Sequence, residues 1–217
     1  SLVEHSDCNS VLSYMRVRSK YSDDPSVIGG LPSGMASARR RFLSRLERAR
    51  CRGFLTGNPE CHSIACPGTS LSRELQLNHQ ECQLDVVHLH WLGDHTLSIE
   101  DIGCLNMPLV WTLHDQWAFC GAEHYTTPPQ EGERASTDER FVLGYTCASR
   151  PRHESGPDLN RRTWQRKSMA WRRPIHIVAT TTWLADCARR SALMGSWPIS
   201  VIPYPLDLNS WAPFDQR

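Results

Sequence analysis

The chain has 217 residues, with 24 Lys and Arg against 23 Asp and Glu and a formal net charge of +1. That length can bury a substantial core in one domain with extensions, and the near balance of charge gives no global sign of a nucleic-acid partner. No apolar run is long enough to span a bilayer, and no basic-then-apolar leader opens the sequence, so a cytoplasmic protein is expected.

Residues 10–19 alternate apolar and polar side chains, as a strand near a sheet edge does. Asp23, Asp24 and Pro25 then signal a turn. Residues 36–52 fit a helix with Phe42, Leu43, Leu46 and Ala49 on one side and many arginines elsewhere. Its basic face reads either as a solvated surface or as a contact for an anionic membrane. Residues 53–69 lack periodicity and read as a loop, and 71–79 as a short helix. A basic helix and irregular insertion are therefore expected over 29–80.

From Asp85 the order becomes regular. Strand 86–91 leads to a helix whose first turn carries Ser98 and, three residues on, Asp101, the spacing of a capping box. Pro108 restarts the chain as strand 109–113, giving a β-α-β unit with parallel strands and a right-handed crossover. Residues 115–157 are long for a connection and mark a functional or disordered loop. A helix over 158–172 follows, capped by Asp158, with Trp164, Ser168 and Trp171 on the stripe that packs on the sheet. Strand 175–179, hydroxyl caps from Thr180, Thr181 and Thr182, helix 183–193 and strand 198–202 complete the pattern of a doubly wound, Rossmann-like parallel α/β sheet.

In open parallel sheets, ligands bind beyond the carboxyl ends of the strands, which places His90 and His114 where chemistry is expected. His88 and His90, two apart on a strand, face one side of the sheet; one of them is expected to pack beneath a helix and bond to backbone. With His95, His114 and His124 nearby, and Asp94 or Asp115 as carboxylate, a two-His-one-carboxylate metal site is one reading, though no fixed metal-ligand spacing supports it. His114-Asp115 at a strand end reads better as a polar pair facing a substrate, with a structural histidine closing the sheet as the alternative. Glu123 and His124 lie in the adjoining Gly-containing loop, and sequence spacing leaves open whether Asp115 and Glu123 oppose one another as a hydrolase pair. A Walker loop, a Gly-x-Ser-x-Gly elbow and a Gly-x-Gly-x-x-Gly turn are all absent. The nine cysteines, Cys8, Cys51, Cys61, Cys66, Cys82, Cys104, Cys120, Cys147 and Cys187, form no Cys-x-x-Cys pair, so reduced thiols are expected rather than a disulfide frame or a zinc ribbon.

The strings HLHWL, SIEDI, VWTLHDQWAFCGAEHY, WLADCARRS and VIPYPLD, in this order, resemble the amino-terminal half of bacterial GT-B-type retaining glycosyltransferases, the family-4-like group that builds capsule, exopolysaccharide and lipopolysaccharide. The resemblance covers residues 10–214. It implies one half of a GT-B architecture: an acceptor-side Rossmann-like domain over 1–214, lacking its first strand, with the carboxyl-terminal donor domain absent. It implies a hexosyltransferase in polysaccharide biosynthesis, with a nucleotide-sugar donor as co-substrate, a glycan or lipid-linked acceptor, peripheral contact with the cytoplasmic face of the inner membrane, no nucleic-acid partner and no metal cofactor.

Carried over by position, the role nearest the reacting sugar falls on His114, with Asp115 beside it. His90, Trp91, Gly121, Glu123, His124, Tyr125, Thr180 and Thr181 would line the substrate cleft. Two departures stand out. Many relatives carry Gly-Gly-Cys-His-Tyr where this chain has Gly121-Ala122-Glu123-His124-Tyr125, which argues against a loop metal or disulfide cluster here. Pro203-Tyr204-Pro205 replaces the usual Pro-Asn-Pro or Pro-Asn-Gly. Because the chain begins at Ser1 and stops after the VIPYPLD string, it is expected to be a fragment inactive or nearly so by itself. A non-catalytic carbohydrate-binding domain and a metal-dependent hydrolase are the rival readings.

Overall fold

The computed structural model describes residues 11–17, 20–29, five positions between 38 and 49, 62–65, 84–92, 96–126, 140–150 and 156–207. Two compact units divide at Leu43 and Ser44. In the first, β1 (Met15–Arg16) pairs in parallel with β2 (Val27–Ile28). The expected strand is reduced to two residues, and its partner follows the Asp24 turn, where one carboxylate oxygen of Asp24 accepts from the Ser26 amide at 2.8 Å and hydroxyl at 2.7 Å. These bonds hold the Asp24 carboxyl below its ordinary pKa. Described positions of the 36–52 segment are helical, with Phe42 exposed. The expected helix over 71–79 lies outside the described residues.

The second unit contains β3 (Val87–Leu89), β4 (Leu109–Leu113), β5 (His176–Ala179) and β6 (Ile199–Val201) in one parallel sheet of order β3-β4-β5-β6. Helix α1 (Ile99–Cys104) joins β3 to β4, α2 (Arg140–Leu143) and α3 (Leu159–Ala170) lie between β4 and β5, and α4 (Thr182–Arg190) joins β5 to β6. The architecture is thus α/β with a parallel sheet. Each crossover steps the same way, so right-handed connections place the helices on one face, and α1 packs on α3. Four strands in chain order are what one side of a doubly wound sheet contains; the reversal of direction does not occur among the described strands.

The caps form where the polar side chains precede apolar turns. Ser98 accepts from the Asp101 amide at 3.1 Å while Asp101 accepts from the Ser98 amide at 3.0 Å, a complete capping box. Asp158 accepts from the Arg161 amide at 2.9 Å, and Thr181 from the Leu184 amide at 3.1 Å.

Side chains alternate across the sheet. Leu89, Trp111, Leu113, Ile177 and Ala179 are buried on the helix-covered face. There Trp111 meets Trp171 edge-on at 5.2 Å between ring centres and Trp117 at 6.3 Å, and the Trp171 indole donates to the Ile99 carbonyl at 2.8 Å. The opposite face carries polar cross-strand pairs: His88 with Thr112 at 2.7 Å and His176 with Ser200 at 2.9 Å. This corrects the expectation that a strand histidine packs beneath a helix and bonds to backbone. His88 and His90 are both exposed, because the period of two puts them on the side away from the helices.

The expected tryptophan stripe on α3 is also corrected. Its buried side is Leu159, Asn160, Thr163 and Lys167; Ser168 is exposed, and Trp164 packs beside Tyr145 with 5.9 Å between ring centres. Only Trp171, the C-cap, reaches the sheet face. From α3, Arg166 grips Glu100 through two bonds of 2.7 Å and donates to the Ala65 carbonyl at 2.7 Å, tying α1 and residues 64–65 together. Burial raises the Glu100 pKa, but the Arg166 guanidinium outweighs it and the net shift is downward.

Candidate functional site at the carboxyl ends of β3 and β4

Immediately beyond β4, Asp115 folds the chain back on itself. One carboxylate oxygen accepts from the Trp117 amide at 2.9 Å and the other holds His124 Nδ1 at 2.6 Å. The Gln116 amide donates to the His124 carbonyl at 2.9 Å, and its side-chain oxygen accepts from the Thr126 amide at 2.7 Å. Tyr125 donates its hydroxyl to the His114 carbonyl at 3.2 Å. Residues 114–126 are therefore a closed loop rather than a loose connection, and His124 is fixed by the same residue that starts the turn.

Against this loop lies a row of rings. His90 Nδ1 and His114 Nε2 are 3.2 Å apart, and His114 Nδ1 is hydrogen-bonded to the Tyr204 hydroxyl, whose ring lies nearly parallel to the imidazole with 5.7 Å between centres. Trp91 is 57 % exposed, and its indole faces His124 with 6.5 Å between ring centres and 29° between planes. The cleft they enclose is walled by His90, Trp91, Leu92, His114, Asp115 and His124, with Trp111 and Trp117 beneath. Partial burial, joined by His114 for His88 and by His88 and His114 for His90, holds both imidazoles below their ordinary pKa. Burial and the Asp115 charge raise that of Tyr125.

A second layer supports the loop from below. Lys167 is fully buried and donates to the carbonyls of Trp117, Cys120 at 3.1 Å and Gly121 at 2.7 Å, with its ammonium 3.8 Å from the Trp117 ring centre. Three carbonyls match the three N–H bonds of an ammonium, yet burial dominates and brings the Lys167 pKa down to about 7. Glu123 is 9 % exposed and accepts the Tyr145 hydroxyl. Burial, then the Glu123 charge, raises the Tyr145 phenol and the Cys120 thiol well above their ordinary values.

The residues singled out in the sequence thus divide. His90, Trp91, His114, Asp115 and His124 come together in the cleft, and Tyr125 braces it. Gly121 and Glu123 lie in the interior: a Cβ on Gly121 would stand 2.7 Å from the Asn160 carbonyl oxygen, so only glycine lets the loop meet α3. Thr181 is occupied as the α4 cap, and Thr180 is buried at the end of β5. Tyr204, Lys167 and Tyr145 are functional neighbours that sequence reasoning missed; the sole signal for Tyr204 was its place in the unusual Pro203-Tyr204-Pro205 string. Asp94 and His95 lie outside the described residues, and among the described residues no three His, Cys, Asp or Glu side chains are grouped to hold a metal ion. No described helix is long and apolar enough to cross a membrane. Comparison with family models, with curated proteins and with solved structures gives no match.

Proposed function

We propose that this chain provides the acceptor-side wall of a sugar-transfer cleft, as one Rossmann-like half of a GT-B glycosyltransferase acting with a nucleotide-sugar donor on a glycan or lipid-linked acceptor. The observation that carries the reading is the cluster of His90, His114, Asp115 and His124 beside exposed Trp91, at the carboxyl edge of a parallel sheet. The imidazoles of His90 and His124 and the Asp115 carboxylate supply the donors and acceptors that sugar hydroxyls need, with His114 holding His90 in place. An exposed indole supplies the flat apolar surface on which a pyranose ring packs. Catalysis would consist of holding an acceptor hydroxyl in line with the anomeric carbon and excluding water. The family-like strings in the sequence lend the same support, independently of the geometry.

Trp91 also favours a plain carbohydrate-binding domain, and the two readings separate experimentally. The 217-residue protein is presented with methyl glycosides and with a panel of nucleotide sugars, and ligand saturation by the protein is read by NMR. Saturation of both ligand types, lost in Trp91→Ala, supports the transferase half. Saturation of glycosides alone, lost in Trp91→Ala, fits an acceptor wall and a binding domain alike, and saturation of neither sinks both.

A further inference from the structure

His114 is the histidine to which sequence position assigns the ligand, but its ring has nothing left to offer one. Nδ1 is engaged by Tyr204 and Nε2 by His90. The next ring outward is His90, which is exposed, lines the cleft, and uses only Nδ1 in these contacts. We propose that Tyr204, His114 and His90 form a hydrogen-bonded relay whose outer end, the Nε2–H of His90, donates to a ligand oxygen, with His114 and Tyr204 as positioning residues.

The direction of the relay follows from hydrogen-bond chemistry. A neutral imidazole has one donor and one acceptor nitrogen. The phenol hydroxyl is a stronger acid than a neutral imidazole N–H, and the bare imidazole nitrogen is a better acceptor than a phenol oxygen, so Tyr204 donates to His114 Nδ1. That fixes His114 as the Nε2–H tautomer, which donates to His90 Nδ1. His90, a residue of the cleft wall, must then carry its own proton on Nε2. No covalent step is involved: the relay sets which nitrogen holds a hydrogen, and so makes His90 a donor to a sugar hydroxyl or phosphate oxygen rather than a base. Each ring restrains the next. His114 is stacked on Tyr204, and the His88 and His90 rings lie 4.3 Å apart.

The ligand's identity rests on the sugar-site reading, whereas the proton arrangement does not. The test is long-range nitrogen–proton NMR of the histidine rings in the 217-residue protein at slightly alkaline pH. Both His114 and His90 are expected as single Nε2–H tautomers. Tyr204→Phe, at a residue 57 % exposed, is expected to keep the amide spectrum of the folded chain while both rings become tautomer mixtures. His114 found as the Nδ1–H form, or both rings unchanged in Tyr204→Phe, overturns the relay. Added methyl α-glucoside is expected to move the His90 Nε2 resonance more than either nitrogen of His114. A larger shift at His114 overturns His90 as the donor, while intact tautomers with no shift anywhere overturn the sugar reading alone.

Discussion

Lys167 shows how much one interior side chain can control at a distance from the cleft. Replacing it with methionine fills a similar volume but strands three carbonyls in the interior. The expected cost is about 3 kcal/mol, the loss of three bonds less the relief of burying an amine, read by urea unfolding. Its folded pKa, about 7, lies below the unfolded value of about 10.4, so between those values the unfolded chain binds more protons and stability rises with pH. Cys120 and Tyr145 act oppositely: their folded pKa values are raised, so their contributions are complete below the ordinary thiol and phenol values and fade above them. Unfolding free energy should therefore climb from neutral pH to the start of thiol ionisation, and the climb should vanish in Lys167→Met. His88 and His90, with lowered folded pKa values, give stability that is complete above about pH 6.5 and lost as pH falls through their folded values. Gly121→Ala, which pushes a methyl to 2.7 Å from the Asn160 oxygen, should cost about 2 kcal/mol by the same measurement.

At the level of the element, cap chemistry was open to reading because it needs only a polar side chain before an apolar turn. Ser98 with Asp101, Asp158 and Thr181 were all legible, as were the four strands of the larger sheet, each a run of β-branched or aromatic residues closed by Gly, Pro or a polar turn. The buried side of α3 was not legible. Asn160, Thr163 and Lys167 look like a solvated face, and the 114–126 loop supplies the amide for Asn160 and the carbonyls for Lys167 that make the burial of those two tolerable. The cleft was half legible: strand ends indicate His90 and His114, but which ring nitrogen is already spoken for depends on Tyr204, ninety residues away in sequence. Caps also yield an ordering of mutants. Ser98→Ala should cost about 1 kcal/mol, and Asp158→Ala distinctly more, because Asp158 also holds the buried Arg140 guanidinium at 2.7 Å; paired thermal melts compare them.

For the molecule as a whole, the described strands of each sheet run in one direction, and the described thiols divide between interior and surface. Cys120 and Cys187 are buried, Cys104 and Cys147 exposed. Brief alkylation of the native protein, mapped by peptide mass, should label Cys104 and Cys147 and spare Cys120 and Cys187 until denaturant is added. Equal labelling of Cys120 would contradict both its burial and its raised pKa.

The anchor beneath the cleft also sets an order of events. Lys167 reaches carbonyls 46 to 50 residues earlier in the chain, so the 114–126 loop can gather its own hydrogen bonds before α3 is made but can gain its buried anchor only afterwards. During synthesis that anchor must wait for α3 to emerge and dock. A chain halted before α3 would carry His90 and His114 without the Lys167 anchor beneath the neighbouring loop.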